Sequence, residues 1–180
     1  MKLKAFFSKP LGIFAAISVV AVAGVIAGVA THHSQSKGTS VTQSSDNQAS
    51  TSEELPQVSA NAGAAPTISK PEGTPPSALV TKDIIEGTGT AATSASTVTA
   101  QYVLMSWKTG TIIQSSWSQG PATFPLSAVI PGWQQGIPGM KVGGRRLLVV
   151  PPALGYGAAG SGPVGANETL VFVVDLVAVR

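Results

Sequence analysis

There is no cysteine among the 180 residues. That excludes a disulfide framework, a thiolate nucleophile, a cysteine zinc site and a lipid-modified cysteine, and it leaves the redox compartment unmarked. Histidine is nearly as scarce. Only His32 and His33 occur, side by side without a third ligand, and they read as polar surface rather than as a metal site. From Leu79 onward no imidazole is available for a Ser-His-Asp triad, a general base or a zinc ligand. Acids are thin there too. Asp83, Glu86, Glu168 and Asp175 are scattered, with no paired spacing of the kind that carboxylate hydrolysis needs.

A charge excess is also missing once the N-terminus is set aside. The net +3 resides in Lys2, Lys4 and Lys9, and the rest of the chain balances eight basic against eight acidic residues. Such neutrality argues against a nucleic-acid partner. Lys141, Arg145 and Arg146 form the one basic cluster in the C-terminal part. The simplest reading is a solvated turn and strand start; phosphate binding lacks a helix N-terminus or an aromatic platform beside it.

Pro10 to Ala30 contains no charge at all. As a helix rising about 1.5 Å per residue it is about 30 Å long, the thickness of a bilayer core. Lysines on its N-terminal side alone hold that end in the cytoplasm and place everything after Thr31 outside. Residues 1–30 therefore read as a signal-anchor helix or a cleaved signal peptide. The run exceeds the about 7–15 apolar residues of a signal peptide, which favours a single-pass membrane anchor, while Ala21 with Ala23, or Gly28 with Ala30, suits cleavage and secretion. Residues 31–78 turn to Ser, Thr, Gln, Asn, Ala and Pro, which cannot bury enough surface to offset their ordering entropy, and read as a disordered linker.

Order is expected over 79–180. Short β-type runs recur at Ile84-Ile85, Val98 to Met105, Thr111 to Gln114, Leu147 to Val150 and Leu170 to Val179. Alternation puts Val98, Ala100, Tyr102 and Leu104 on one face, and Leu170, Phe172, Val174 and Leu176 on another. One short helix fits: Pro131 suits a first turn and Gly136 with Pro138 stops it. The expected class is α+β, a twisted antiparallel half-barrel wrapped around one helix.

Two glycine patterns, Gly155 to Gly160 and Gly87 to Ala92, match dinucleotide fingerprints on paper. Neither is followed by a helix, so both read as turns. The informative stretch is Val129 to Gly157, VIPGWQQGIPGMKVGGRRLLVVPPALGYG, which sets Trp133 and Tyr156 among aliphatics, glycines and prolines without one acid or histidine. A site built this way can bind and desolvate an apolar ligand but cannot easily do proton or metal chemistry. By default Trp133 and Tyr156 are core aromatics, and Trp107 and Trp117 lie in turn-rich sequence that allows exposure.

The ordered series VIPGWQQGIPGM, KVGGRR, PPALGYG and TLVFVVDLVAV closely resembles the FKBP-type peptidyl-prolyl cis-trans isomerases over about Leu79 to Arg180. The resemblance implies an FKBP-like half-barrel and prolyl isomerase activity without a cofactor. It implies a pocket with Trp133 as floor and Tyr102, Ile113, Phe124, Val129, Ile130, Tyr156 and Phe172 as walls, Val164 at the rim, and the Ile130 N–H and the Tyr156 hydroxyl bonding substrate carbonyls. Gln114 stands where the family carries a carboxylate and Ile113 where it carries a phenylalanine, which implies reduced turnover, or a proline-peptide-binding, chaperone-like module. Implied partners are proline-containing peptides, unfolded exported proteins and macrolides, met by a monomer.

Overall fold

The computed structural model describes residues 54–180, so the expected hydrophobic helix of 1–30 and residues 31–53 of the expected linker lie outside the described residues. Among the described residues no helix is long and apolar enough to cross a membrane.

Six antiparallel strands form one sheet: β1 (Val80–Ile85), β2 (Thr97–Ser106), β3 (Ile112–Ser115), β4 (Ala122–Pro125), β5 (Arg145–Val150) and β6 (Leu170–Val179). The order is β1-β5-β6-β2-β3, with β4 paired to the first half of β2. The long strands β2 and β6 lie centrally; β6 is apolar at every position but Asp175, and Tyr102 to Ser106 of β2 are buried in succession, because both faces of the sheet are covered. The five expected strands are present within a few residues of their predicted bounds. β4 was not expected; its alternation is only Ala122 and Phe124 half-buried between exposed Thr123 and Pro125, and a terminal proline is tolerated because the strand is short and lies at an edge.

The single helix, α1 (Pro131–Gly136), is too short to be stable alone. It forms because Pro131 presets the first turn and because Trp133 is driven into the core at 4% exposure. Two glycines let it lie against β5. A Cβ on Gly132 would stand 2.5 Å from Val150 Cγ1, and one on Gly136 would stand 2.5 Å from Leu148 Cδ2.

Each face of the sheet has its own core. On the helix side Ala100, Tyr102, Leu104, Leu148, Phe172 and Val174 pack with Trp133 and Ile137. On the opposite side Met105, Trp107, Leu147, Val149, Val171 and Val173 pack beneath Leu55, Val58 and Ile68. Those last three belong to the expected linker, and they correct it: residues 54–77 are an ordered strap over the sheet. Val58 bridges Ile68, Ser59 N–H donates to Thr67 O at 3.1 Å, and Ser69 N–H donates to Gln57 O at 2.9 Å. Composition hid this because the strap has only three large apolar residues, Leu55, Val58 and Ile68, and all three pack on the sheet. Four prolines, Pro56, Pro66, Pro71 and Pro76, are themselves buried and lower the entropy that ordering must overcome.

Two further expectations are revised. Trp107 is buried at 5% exposure. Arg145 is not solvated but has no exposure at all, since the register of β5 and β6 sets it directly opposite Asp175 under the strap. Arg146, on the other face, pairs with Asp83 and donates to Gly136 O at the end of α1 at 2.8 Å. Lys141 alone of the cluster is exposed.

Candidate active site

On the helix side the sheet does not close completely over α1. Tyr102, Leu104, Gln114, Phe124, Val129, Ile130, Trp133, Tyr156 and Phe172 surround a concave pocket of about 330 Å³, its open mouth included. Alternation along β2 sends Tyr102 and Leu104 to this face, and the same alternation along β6 sends Phe172. Phe124 comes from β4, and Val129 and Ile130 from the turn into α1.

Trp133 is the floor, held by three edge-to-face contacts. Its ring centroid lies 5.8 Å from Tyr102, 5.8 Å from Phe124 and 5.6 Å from Phe172, with interplanar angles of 86°, 81° and 81°. Tyr102 meets Phe124 at 6.1 Å and 65°. Each such pair adds about 0.5–1.5 kcal/mol beyond area burial, so the floor is rigid before any ligand arrives. The buried Trp133 Nε1 has no hydrogen-bond partner.

The approach to α1 is equally fixed. Gln134 Nε2 donates to Val129 O at 2.7 Å, while Ile130 O accepts the N–H of Trp133 at 2.9 Å and of Gln134 at 3.2 Å. Among the described backbone bonds outside helices and strands, the Ile130 N–H donates to none. This is a donor beside an apolar cavity, as a carbonyl-binding position requires.

The titratable groups lining the pocket are two phenols. Burial pushes Tyr102 up from the usual tyrosine value. Burial, and then the neighbouring Tyr102, push Tyr156 up to about 12. Both are therefore neutral hydrogen-bond donors at ordinary pH. No group of three or more histidines, cysteines or acids able to hold a metal exists among the described residues.

The structure gathers Tyr102, Gln114, Phe124, Val129, Ile130, Trp133, Tyr156 and Phe172 of the expected site at one cavity. Ile113 and Val164 are not among its lining. Ile113 falls in a bulge, where Leu104 pairs with Gln114 and Met105 with Ile112, and it packs against the edge of the core. Val164 closes a tight turn through its bridge to Ser161 and is drawn into the core beneath the loop. Leu104 was missed as a wall, although alternation had already put it on the same face as Tyr102.

The family model for FKBP-type peptidyl-prolyl cis-trans isomerase matches residues 88–177, half of the chain. The chain belongs to the FKBP family. Its members are isomerases of X–Pro peptide bonds that assist protein folding. The chain is 48% identical over 113 residues to a probable FK506-binding protein of Corynebacterium glutamicum, an alignment covering 62% of this chain and 96% of that one. It is 49% identical over 119 residues to an FK506-binding protein of Streptomyces anulatus, covering 63% and 96%. Among solved structures it is similar to FkpA from Escherichia coli, with a TM-score of 0.54 and 38% identity over 57% of this chain and 48% of that one. This FKBP chain thus spans about half the length of FkpA, and the strap of 54–77 lies before the segment that the family model matches.

Proposed function

We propose that the Trp133 pocket is where this chain isomerises X–Pro bonds, with the prolyl ring seated on the indole, and that its clients are exported proteins. The observation that carries the reading is the convergence of a rigid aromatic floor, the Ile130 N–H and the Tyr156 phenol on one apolar cavity.

Amide resonance sets a rotation barrier of about 18–20 kcal/mol. Seating the prolyl amide among Tyr102, Phe124, Phe172 and Trp133 removes water from its carbonyl, which weakens the charge-separated resonance form. Ile130 N–H and Tyr156 Oη then hold the flanking carbonyls so that the twisted amide fits better than either planar isomer, and differential binding of that state lowers the barrier. Each 1.4 kcal/mol or so gained is tenfold in rate, so a few neutral contacts suffice. The same apolar cavity suits a macrolide.

Gln114 favours a second reading beside the first. It is an exposed neutral amide at the pocket edge, which supplies no fixed negative charge to act on the polarised amide, so binding of proline peptides with reduced turnover is expected. Export rests on the uncharged run of residues 10–30, with the enzyme a monomer anchored by it or released after cleavage.

The test is a titration of labelled protein with an Ala-Ala-Pro-Phe-type peptide, followed by NMR. Shifts centred on Tyr102, Ile130 and Phe172, with exchange between the cis and trans peptide signals, are expected. Shifts centred on another surface, or exchange without binding at these residues, would overturn the assignment.

A further inference from the structure

We propose that Arg145 is a positioning residue for the isomerase pocket and that the strap of residues 54–77 is the element that holds it in place. This rests on the pocket assignment above, since no residue of the strap lines the cavity. The guanidinium is committed in three directions. Towards β6, Nε and Nη2 donate to the Asp175 carboxylate at 2.6 and 2.7 Å. Towards the strap, Nη1 donates to Ser59 O at 2.8 Å and Nη2 to Ala64 O at 2.6 Å. Against the third side lies the ring of Trp117, whose centroid is 6.0 Å from Cζ, within reach of a cation–π contact.

Trp117 is the link to the pocket. It lies two residues beyond the end of β3, the edge strand that carries Gln114, and β3 has only four residues and a bulge in its pairing with β2. So short and irregular an edge gives little fixation by itself. Between Trp117 and β3 sits buried Ser116, whose N–H donates to Tyr102 O at 3.0 Å and whose Oγ accepts from Tyr102 N–H at 2.8 Å and donates to Gln101 Oε1. Gln101 in turn lies opposite Asp175 in the β2–β6 register, and Asp175 lies opposite Arg145. Two pocket walls are therefore tied to Trp117 on Arg145, Gln114 along β3 and Tyr102 through its bonds to Ser116. The strap sets the position of Arg145 through two backbone carbonyls that no side-chain substitution elsewhere can replace.

The test uses the full chain and three changes remote from the cavity. Val58→Asp lifts the strap from the second core. Ser59→Ala with Ser69→Ala removes the side-chain bonds that brace it, Thr67 N–H to Ser59 Oγ at 3.0 Å and Gln57 N–H to Ser69 Oγ at 2.9 Å. Arg145→Lys keeps the charge and loses the planar fork. Each is assayed for kcat and KM on a prolyl peptide, with NMR of the Trp117 indole and the Gln114 side-chain amide. The expected result for Val58→Asp is a fall of about fivefold in kcat/KM, mostly in kcat, with both resonances moved, and no further loss when it is combined with Arg145→Lys. If Val58→Asp does not fold, the Ser59/Ser69 variant carries the test, with a fall of about twofold and the same resonances moved. Unchanged kinetics in a strap variant that folds, or losses that simply add to those of Arg145→Lys, would overturn the proposal. Trp133→Leu separates it from the pocket assignment: an enzyme that needs Trp133 and ignores the strap sinks this inference alone, whereas one indifferent to Trp133 sinks the assignment beneath it.

Discussion

The two faces of the sheet are made from the same strands and do opposite things. Even-numbered positions of β2, β5 and β6 face α1, where aromatic rings meet edge to face and leave a cavity. Odd-numbered positions of β2, β5 and β6 face the strap, where Leu55, Val58 and Ile68 cover the core and Arg145 is spent on an ion pair without any exposure. An open apolar face can take a ligand without groups that titrate. The strap face buries a charge by answering its donors, and four of the five Arg145 N–H groups are bonded, to Asp175, Ser59 and Ala64.

The sharpest way to break the contrast is at that charge. Arg145→Ala leaves the Asp175 carboxylate and two strap carbonyls without their partner, and removing one side of a buried pair costs about 3–5 kcal/mol. Urea unfolding should show it. A loss near that of a surface pair would mean that the strap opens to water. Arg146→Ala is the matched control on the other face. Its pair with Asp83 is partly exposed, 13% and 40% on the two side chains, and it should cost no more than about 1 kcal/mol.

On the open face, Gly136→Ala drives a methyl into Leu148, and such overpacking costs about 1–3 kcal/mol. Thermal unfolding measures it, with Gly139→Ala as an uncrowded comparison; the latter change still meets a positive φ of 83° and is expected to act through backbone strain instead. Next in size is the pair Ile113→Phe with Gln114→Asp. Supplying a carboxylate at the cavity edge should raise kcat/KM about tenfold, a gain of about 1.4 kcal/mol in the transition state. Equal rates would mean that desolvation and shape carry the catalysis unaided.

The smallest effect expected is that of pH. With only phenols to titrate in the pocket, kcat/KM should stay flat from about pH 6 to 9. Tyr156 is held above its ordinary value, so the stability linked to its neutral form is fully present below pH 10 or so and is lost as pH rises towards 12. A bell-shaped profile near neutrality, measured at constant ionic strength, would point to a group outside this pocket.

Much of the open face was legible in the sequence. Alternation marked Tyr102, Leu104 and Phe172, the Pro131 and Gly136 stops marked α1, and the ordered motifs supplied the rest by resemblance. The strap face was not. Composition averages over 31–78 conceal Val58 and Ile68, which matter only because a hairpin sets them on the same core. A basic cluster reads as solvated until the long-range register of β5 with β6 places Arg145 against Asp175. Resemblance sets Ile113 among the walls by position, and the bulge between its neighbours' pairings leaves no mark in four residues of β-type sequence.

The central claim is that isomerisation belongs to the open face and to its tryptophan floor. A protease-coupled assay of a prolyl tetrapeptide, run on the full chain and on Trp133→Leu after confirming that both unfold cooperatively, tests it most directly. Truncating a buried aromatic anchor of this kind removes about 2 kcal/mol or more, so the account predicts a fall in kcat/KM of roughly thirtyfold for Trp133→Leu. A folded Trp133→Leu chain that turns over at the wild-type rate would contradict it.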